Sequence, residues 1–163
     1  MHGGEGADEL FGDGGRDTAS YADASQGLII RLELPKSNTG DASGDSYSSI
    51  ENVIGSSHDD TIYGNGGANT LEGGDGNDSI AGSLGDDALF GGLGDDSLAG
   101  GGGADIVDGG EGFDTVTFEG FSGVVASLTD GIASYGTGDS ATLAGVERLV
   151  GTDAADDLSA GLV

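Results

Sequence analysis

The chain has 163 residues, 36 of them glycine, with one proline, no tryptophan and only 6% aromatic residues, a composition that excludes a large conventional core and argues against long helices. Thirty Asp and Glu against four Lys and Arg leave a formal charge of −26, which excludes nucleic acid and anionic membranes as partners and favours cations. Cysteine is absent, which excludes a disulfide framework and thiolate chemistry; no run reaches the roughly 18 apolar residues of a membrane span, and MHGGEGADEL carries no N-terminal signal.

Cut before each opening glycine, the chain has a period of nine. Internal repeats of this kind take precedence over any other reading. Residues 3–20 hold two units, GGEGADELF and GDGGRDTAS. Residues 21–54 break the period, passing Tyr21, the apolar run GLIIRLEL from Gly27 and the pair Gly44-Asp45, and closing on SIENVIG. Residues 55–117 then carry seven consecutive units in register: GSSHDDTIY, GNGGANTLE, GGDGNDSIA, GSLGDDALF, GGLGDDSLA, GGGGADIVD and GGEGFDTVT. Residues 118–150 break it again with Phe118, GVVASL from Gly123, Gly138-Asp139 and GVERLVG, and residues 151–163 return to a partial repeat with GTDAADDLS. The two breaks parallel each other, which predicts two copies of a larger module, each an enlarged coil within one continuous β-solenoid over 1–163.

Within the units, the sixth place holds Asp8, Asp17, Asp60, Asn69, Asp78, Asp87, Asp96, Asp105, Asp114 and Asp156. The eighth holds Leu10, Ala19, Ile62, Leu71, Ile80, Leu89, Leu98, Val107, Val116 and Leu158. One inward residue per unit predicts strands of about three residues, with the glycines of the first, second and fourth places forming turns. Two units make one coil of 18 residues, and coils stacked ~4.8 Å apart give an all-β fold of two parallel sheets.

That geometry stacks the sixth-place carboxylates of alternate units: Asp60 with Asp78, Asn69 with Asp87, Asp78 with Asp96, Asp87 with Asp105, and Asp96 with Asp114. Like charges ~4 Å apart repel by roughly 4 kcal/mol at an effective dielectric near 20. A hard divalent cation between turns reverses the sign, and calcium takes six to eight oxygens of the kind that carboxylates and glycine-loop carbonyls supply. Asn69 brings an oxygen without a charge, which predicts weaker binding there. One buried Leu or Ile contributes about 1.5–3 kcal/mol, whereas ordering nine backbones costs about 9–18 kcal/mol. Cation binding and folding are therefore expected to be one event, with the metal-free chain largely disordered.

The units match G-G-x-G-x-D-x-U-x, and the chain resembles the RTX, or haemolysin-type, calcium-binding family. The resemblance implies a right-handed parallel β-roll in which the ten sixth-place residues ligate several calcium ions. Carbonyls of Gly73, Gly74, Gly76, Gly82, Gly85, Gly91, Gly92, Gly94, Gly100, Gly101, Gly103, Gly109, Gly110 and Gly112 would complete the sites. It also implies a secreted protein, exported unfolded from a Gram-negative cell by a one-step (type I) channel and folding in calcium outside. GSSHDDTIY and GTDAADDLS lack the inner glycine, so Asp60 and Asp156 depart from the pattern. The fifth-place acids Asp59, Asp86 and Asp95 are read as facing solvent; Glu51 and Glu147, in equivalent places flanked by apolar residues, are read as solvent-facing strand residues with ligands for a further ion as the alternative, and Asp45 and Asp139 as turn residues before ligands.

Other functions fit less well. A lyase-like enzyme wants a cation beside its carboxylates, but Arg16, Arg31, Lys36 and Arg148 are scattered singly and His2 and His58 lack partners. No EF-hand loop or phosphate-binding GK[ST] occurs, and the third places Asp75, Leu84, Leu93, Gly102 and Glu111 give no threonine column for ice. A carbohydrate- or surface-binding module is the alternative, with Phe11, Phe90, Phe113 and Phe121 as candidate stacking residues. The chain starts inside one unit and stops after another without a polar cap, which predicts a piece of a larger protein, any catalysis lying in another domain, and a monomer or weak end-to-end association.

Overall fold

The computed structural model describes residues 1–118, 120–152 and 154–159. Strands β1 (Glu9–Phe11) and β2 (Thr18–Ser20) end the first two units. The first break supplies β3 (Ile29–Arg31), two single 3-10 turns (Pro35–Ser37 and Gly40–Ala42), β4 (Ser46–Ser48) and β5 (Asn52–Ile54). The central units give β6 (Thr61–Tyr63), β7 (Thr70–Asp75), β8 (Ser79–Leu84), β9 (Ala88–Leu93), β10 (Ser97–Gly102), β11 (Ala104–Glu111) and β12 (Thr115–Thr117). The second break supplies β13 (Val125–Ser127), β14 (Ile132–Tyr135), β15 (Asp139–Ala144) and β16 (Arg148–Val150), and β17 (Asp157–Ser159) follows.

Alternate units enter opposite sheets, as a coil of 18 residues requires. One sheet runs β16-β12-β10-β8-β6-β3 and the other β17-β13-β14-β15-β11-β9-β7-β5-β2, with β1-β4 forming a separate pair. All pairings are parallel except those that β14 makes with β13 and β15. The register is 18 residues: Ile62 pairs with Ile80, Ile80 with Leu98, and Leu98 with Val116. Leu71, Leu89 and Val107 stack likewise in the opposite sheet. This is a parallel β-roll.

The eighth-place residues form the core, from Leu10 to Val116 all buried. Leu158 departs from the expectation at 38% exposure, because β17 is the outermost described strand of its sheet and has a neighbour on one side only. Strand length also differs from the prediction. Strands β7 to β10 run for six residues, taking in the first three places of the next unit. The paired glycines continue the ladder instead of leaving it, and Gly74 lies in register with Gly92 and Gly92 with Gly110. Glycine is required there: Gly92 has φ +120°, and a Cβ on it would run into the Gly74 carbonyl.

The two breaks share one plan. Each places its first strand beside a following repeat (β3 on β6, β13 on β17), a later strand beside a preceding one (β4 on β1, β15 on β11), and its last strand beside the strand it left (β5 on β2, β16 on β12). They differ between these points. The second inserts β14 as an antiparallel bridge, where the first has its two 3-10 turns, tied to β3 by the Thr39 hydroxyl and the Asn38 side chain.

Candidate metal centre

Each sixth-place aspartate of the central block points one carboxylate oxygen at the coil before it. Asp78 Oδ1 accepts the Asp60 N–H at 2.8 Å, Asp96 Oδ1 that of Asp78 at 2.7 Å, and Asp114 Oδ1 that of Asp96 at 2.8 Å. On the other side of the roll, Asp87 Oδ1 accepts from Asn69 at 2.8 Å and Asp105 Oδ1 from Asp87 at 3.0 Å. The predicted carboxylate columns are present, and the bond that sets their spacing is a side chain holding a neighbouring coil's amide.

The second oxygen behaves differently. Oδ2 of Asp78, Asp87, Asp96 and Asp114 is buried without any hydrogen-bond partner. Burial above all pushes the Asp78 carboxyl up to about 7 and those of Asp87 and Asp96 to about 6, with the neighbouring Asp96, Asp105 and Asp114 charges adding to the rise. Asp105 and Asp114 are raised for the same first reason. Leaving four buried carboxylate oxygens unpaired is costly.

The first glycine of each unit stands over this oxygen. A Cβ on Gly73, Gly82, Gly91 or Gly109 would collide with Oδ2 of Asp78, Asp87, Asp96 or Asp114, and also with the carbonyl of Gly91, Gly100, Gly109 or Gly145. An anionic oxygen and a neighbouring coil's carbonyl thus both crowd the place where a Cβ would stand, so only glycine fits there. Among the described residues no three acidic or histidine side chains converge, so a cation here would have to take most of its oxygens from the backbone. Hard oxygen donors, one charge per gap and an unpaired oxygen fit calcium.

The remaining predicted ligands are placed otherwise. Asp60 in the glycine-poor GSSHDDTIY accepts the Ser56 N–H on Oδ2 at 2.5 Å and the Leu28 N–H on Oδ1 at 2.7 Å. Asp156 in GTDAADDLS does the same with Thr152 and Val124, and the Thr152 N–H first of all lowers its carboxyl. Asn69 uses its amide, Oδ1 accepting from Asn65 and Nδ2 donating to the Glu51 carbonyl, each at 2.8 Å. In all three the chain fills the role left open at Asp78. Asp8 accepts the Gly4 N–H at 3.3 Å, and Asp17 sits half-buried where the first enlarged coil departs. Among the glycines, Gly103 has its carbonyl engaged by the Ser140 N–H at 2.8 Å.

Four acids of the two breaks also accept backbone amides across coils. Glu51 Oε2 accepts the Asp17 N–H at 2.9 Å and Glu147 Oε2 the Asp114 N–H at 2.8 Å, so each enlarged coil closes with a glutamate in the aspartate's place. The signal was available: counted back in nines from Gly55 and Gly151, both fall on the sixth place. Asp45, buried, accepts the Asp8 N–H on Oδ1 at 2.8 Å, and Asp139 Oδ1 accepts that of Gly103 at 3.0 Å. The fifth-place acids are exposed, as expected, and form a second ladder of opposite sense: Asp59 Oδ1 holds the Asn77 N–H, Asp86 the Ala104 N–H and Asp95 the Phe113 N–H.

Two tyrosines, Tyr21 at the opening of the first break and Tyr135, which no sequence pattern marks, also reach buried carboxylates. Tyr135 donates to Asp105 Oδ2 at 3.1 Å and Tyr21 to Asp45 Oδ2 at 2.6 Å. Burial first, then the adjacent aspartate, raises both hydroxyls, which keeps them protonated donors. Of the candidate stacking residues, Phe11, Phe90 and Phe113 are exposed, whereas Phe121 packs edge-on against Tyr135 with centroids 4.8 Å apart. Phe121 is a core contact, since the second enlarged coil needs apolar area to bury.

A family model described as the RTX calcium-binding nonapeptide repeat (4 copies) matches residues 1–19, 54–89 and 81–116, together half of the chain. No curated protein matches it. Repeats of this family bind calcium ions and are typical of secreted bacterial proteins. Among the described residues no helix is long and apolar enough to cross a membrane.

Proposed function

Because the chain belongs to the RTX calcium-binding nonapeptide-repeat family, we propose that the sixth-place aspartates Asp78, Asp87, Asp96 and Asp114 hold the ions, that binding and folding are one event outside the cell, and that the roll serves a larger secreted protein as folding aid and spacer. The observation that carries this reading is the set of four buried, unpartnered Oδ2 atoms on Asp78, Asp87, Asp96 and Asp114.

Each of these aspartates performs two tasks. Oδ1 fixes the distance between coils through the preceding coil's amide, and Oδ2 offers a full charge to the gap. The first, second and fourth glycines offer carbonyls and exclude side chains. Calcium, when bound, supplies the positive charge that turns a repulsive column into an attractive one. Without it, four charges remain buried in a roll whose core has about one apolar side chain per unit, and the unfolded chain is favoured. Extracellular calcium modules work at about 10⁻⁴–10⁻³ M, which suits a protein that stays unfolded inside a cell. The repeats form a structural module, and any catalysis belongs to another domain.

Far-ultraviolet circular dichroism and calcium calorimetry on one sample, with and without chelator, test this. The chain should gain β structure only with calcium. Asp96→Asn keeps an acceptor for the Asp78 amide but removes the charge, so it should weaken the positions on both sides of Asp96, whereas Asp60→Asn should leave the ion count unchanged. Equal β structure in chelator, or an Asp96→Asn chain with undiminished binding, would refute the reading.

A further inference from the structure

Asp105 is the one sixth-place aspartate of the glycine-rich units 73–117 whose second oxygen is paired. Tyr135, from the hairpin β14–β15, donates its hydroxyl to Oδ2 at 3.1 Å. The same hairpin closes the rest of that turn: Asp139 Oδ1 accepts the Gly103 N–H at 3.0 Å, and the Ser140 N–H donates to the Gly103 carbonyl at 2.8 Å. The hydroxyl is held from behind by Phe118 and Phe121, with ring centroids 4.9 and 4.8 Å from that of Tyr135.

The first enlarged coil repeats the arrangement with different residues. Asp45 gives Oδ1 to the Asp8 N–H at 2.8 Å, the same bond that the ladder aspartates make, and its Oδ2 receives the Tyr21 hydroxyl at 2.6 Å. Tyr47 completes this cluster, 2.6 Å from the Tyr21 hydroxyl, and Asn38 donates to it at 3.1 Å. Two breaks of unlike interior thus bring a buried phenol to the oxygen that is left bare at Asp78, Asp87, Asp96 and Asp114.

We infer that Tyr135 and Tyr21 are stops for the ion columns: each hydroxyl takes the place of a cation at Asp105 and Asp45, so that the enlarged coils dock on the repeats without calcium. A phenol supplies one hydrogen bond and no charge, so it satisfies an isolated carboxylate where a single one remains at the end of a column. At Asp105 the carbonyl of Gly103, a fourth-place glycine, is in addition already engaged by the Ser140 N–H. The inference rests on the proposed calcium sites.

The test locates the ions in crystals of the chain grown at saturating calcium, by anomalous scattering. Ions beside Oδ2 of Asp78, Asp87, Asp96 and Asp114, with none beside Oδ2 of Asp105 or Asp45, are expected. An ion at either of the last two overturns the inference while leaving the functional reading intact; no ion at any aspartate removes both. Tyr135→Phe, measured by calorimetry, should bind the same number of ions as the parent or one more, while its thermal midpoint falls. A folded variant that has lost one ion would make Tyr135 a ligand and overturn the inference. Should the variant not fold, the positions of the ions in the parent decide.

Discussion

Acid should substitute for calcium. The metal-free roll carries Asp78 with its carboxyl near 7 and Asp87 and Asp96 near 6, all raised by burial from an ordinary 3.8. A carboxyl raised in the folded state binds its proton more tightly there than in the unfolded chain. Its stabilising contribution is complete below the unfolded value and is lost as pH rises through 6 to 7. Moving from about pH 8 to about pH 5 protonates these three groups in the fold while the unfolded chain stays ionised. Taken independently they contribute about 5 kcal/mol; each proton relieves the next carboxylate in its column, so about 3 kcal/mol is expected. A calcium-depleted sample followed by circular dichroism at low concentration should therefore gain β structure on acidification, short of the isoelectric point near 4.1. In the same range the calcium midpoint should move to higher concentration, because protons and calcium compete for the same oxygens. A metal-free chain equally unfolded at both pH values would refute the claim that buried ladder charge keeps it open.

Two backbone substitutions probe the glycine ladder. Gly92→Ala, at φ +120° with its Cβ directed into the Gly74 carbonyl, should cost more than about 3 kcal/mol, seen as a lower thermal midpoint in saturating calcium; an unchanged midpoint would contradict the register. Ser83 holds the second place of its unit at φ 90° without being glycine, so Ser83→Gly should raise that midpoint by the equivalent of about 0.5–1 kcal/mol, and a fall would mean that the hydroxyl does something the backbone geometry does not reveal.

The buried column from Leu10 to Val116 and the stacking of carboxylates 18 residues apart were legible because both are periodic, and a solenoid turns period directly into proximity. The length of β7 to β10 was not, because glycine's reputation as a turn residue conceals that Gly74 and Gly92 pair across coils as strand residues. The departures of Asp60 and Asp156 could be read from their missing glycines, but their replacement partners, the Ser56 and Thr152 amides, needed the fold. Glu51 and Glu147 were visible as equivalent positions, but the change of residue concealed that they accept the Asp17 and Asp114 amides in the aspartate's place. Tyr135 had no phase at all: it meets Asp105 across 30 residues through a hairpin that follows no repeat, and such contacts leave no mark in a single sequence.

Parity has a consequence for the outside of the roll. Seven units, an odd number, separate the two enlarged coils, so the first adds β3 to the sheet of β6, β8, β10 and β12, while the second adds β13, β14 and β15 to the sheet of β5, β7, β9 and β11. The strands that the two breaks add therefore extend opposite sheets. Deleting one nonapeptide from the centre would re-pair the units on either side of the cut and put both sets of added strands on the same sheet; deleting two would restore the original arrangement on a shorter axle. Repeat number in this chain thus counts orientation as well as length.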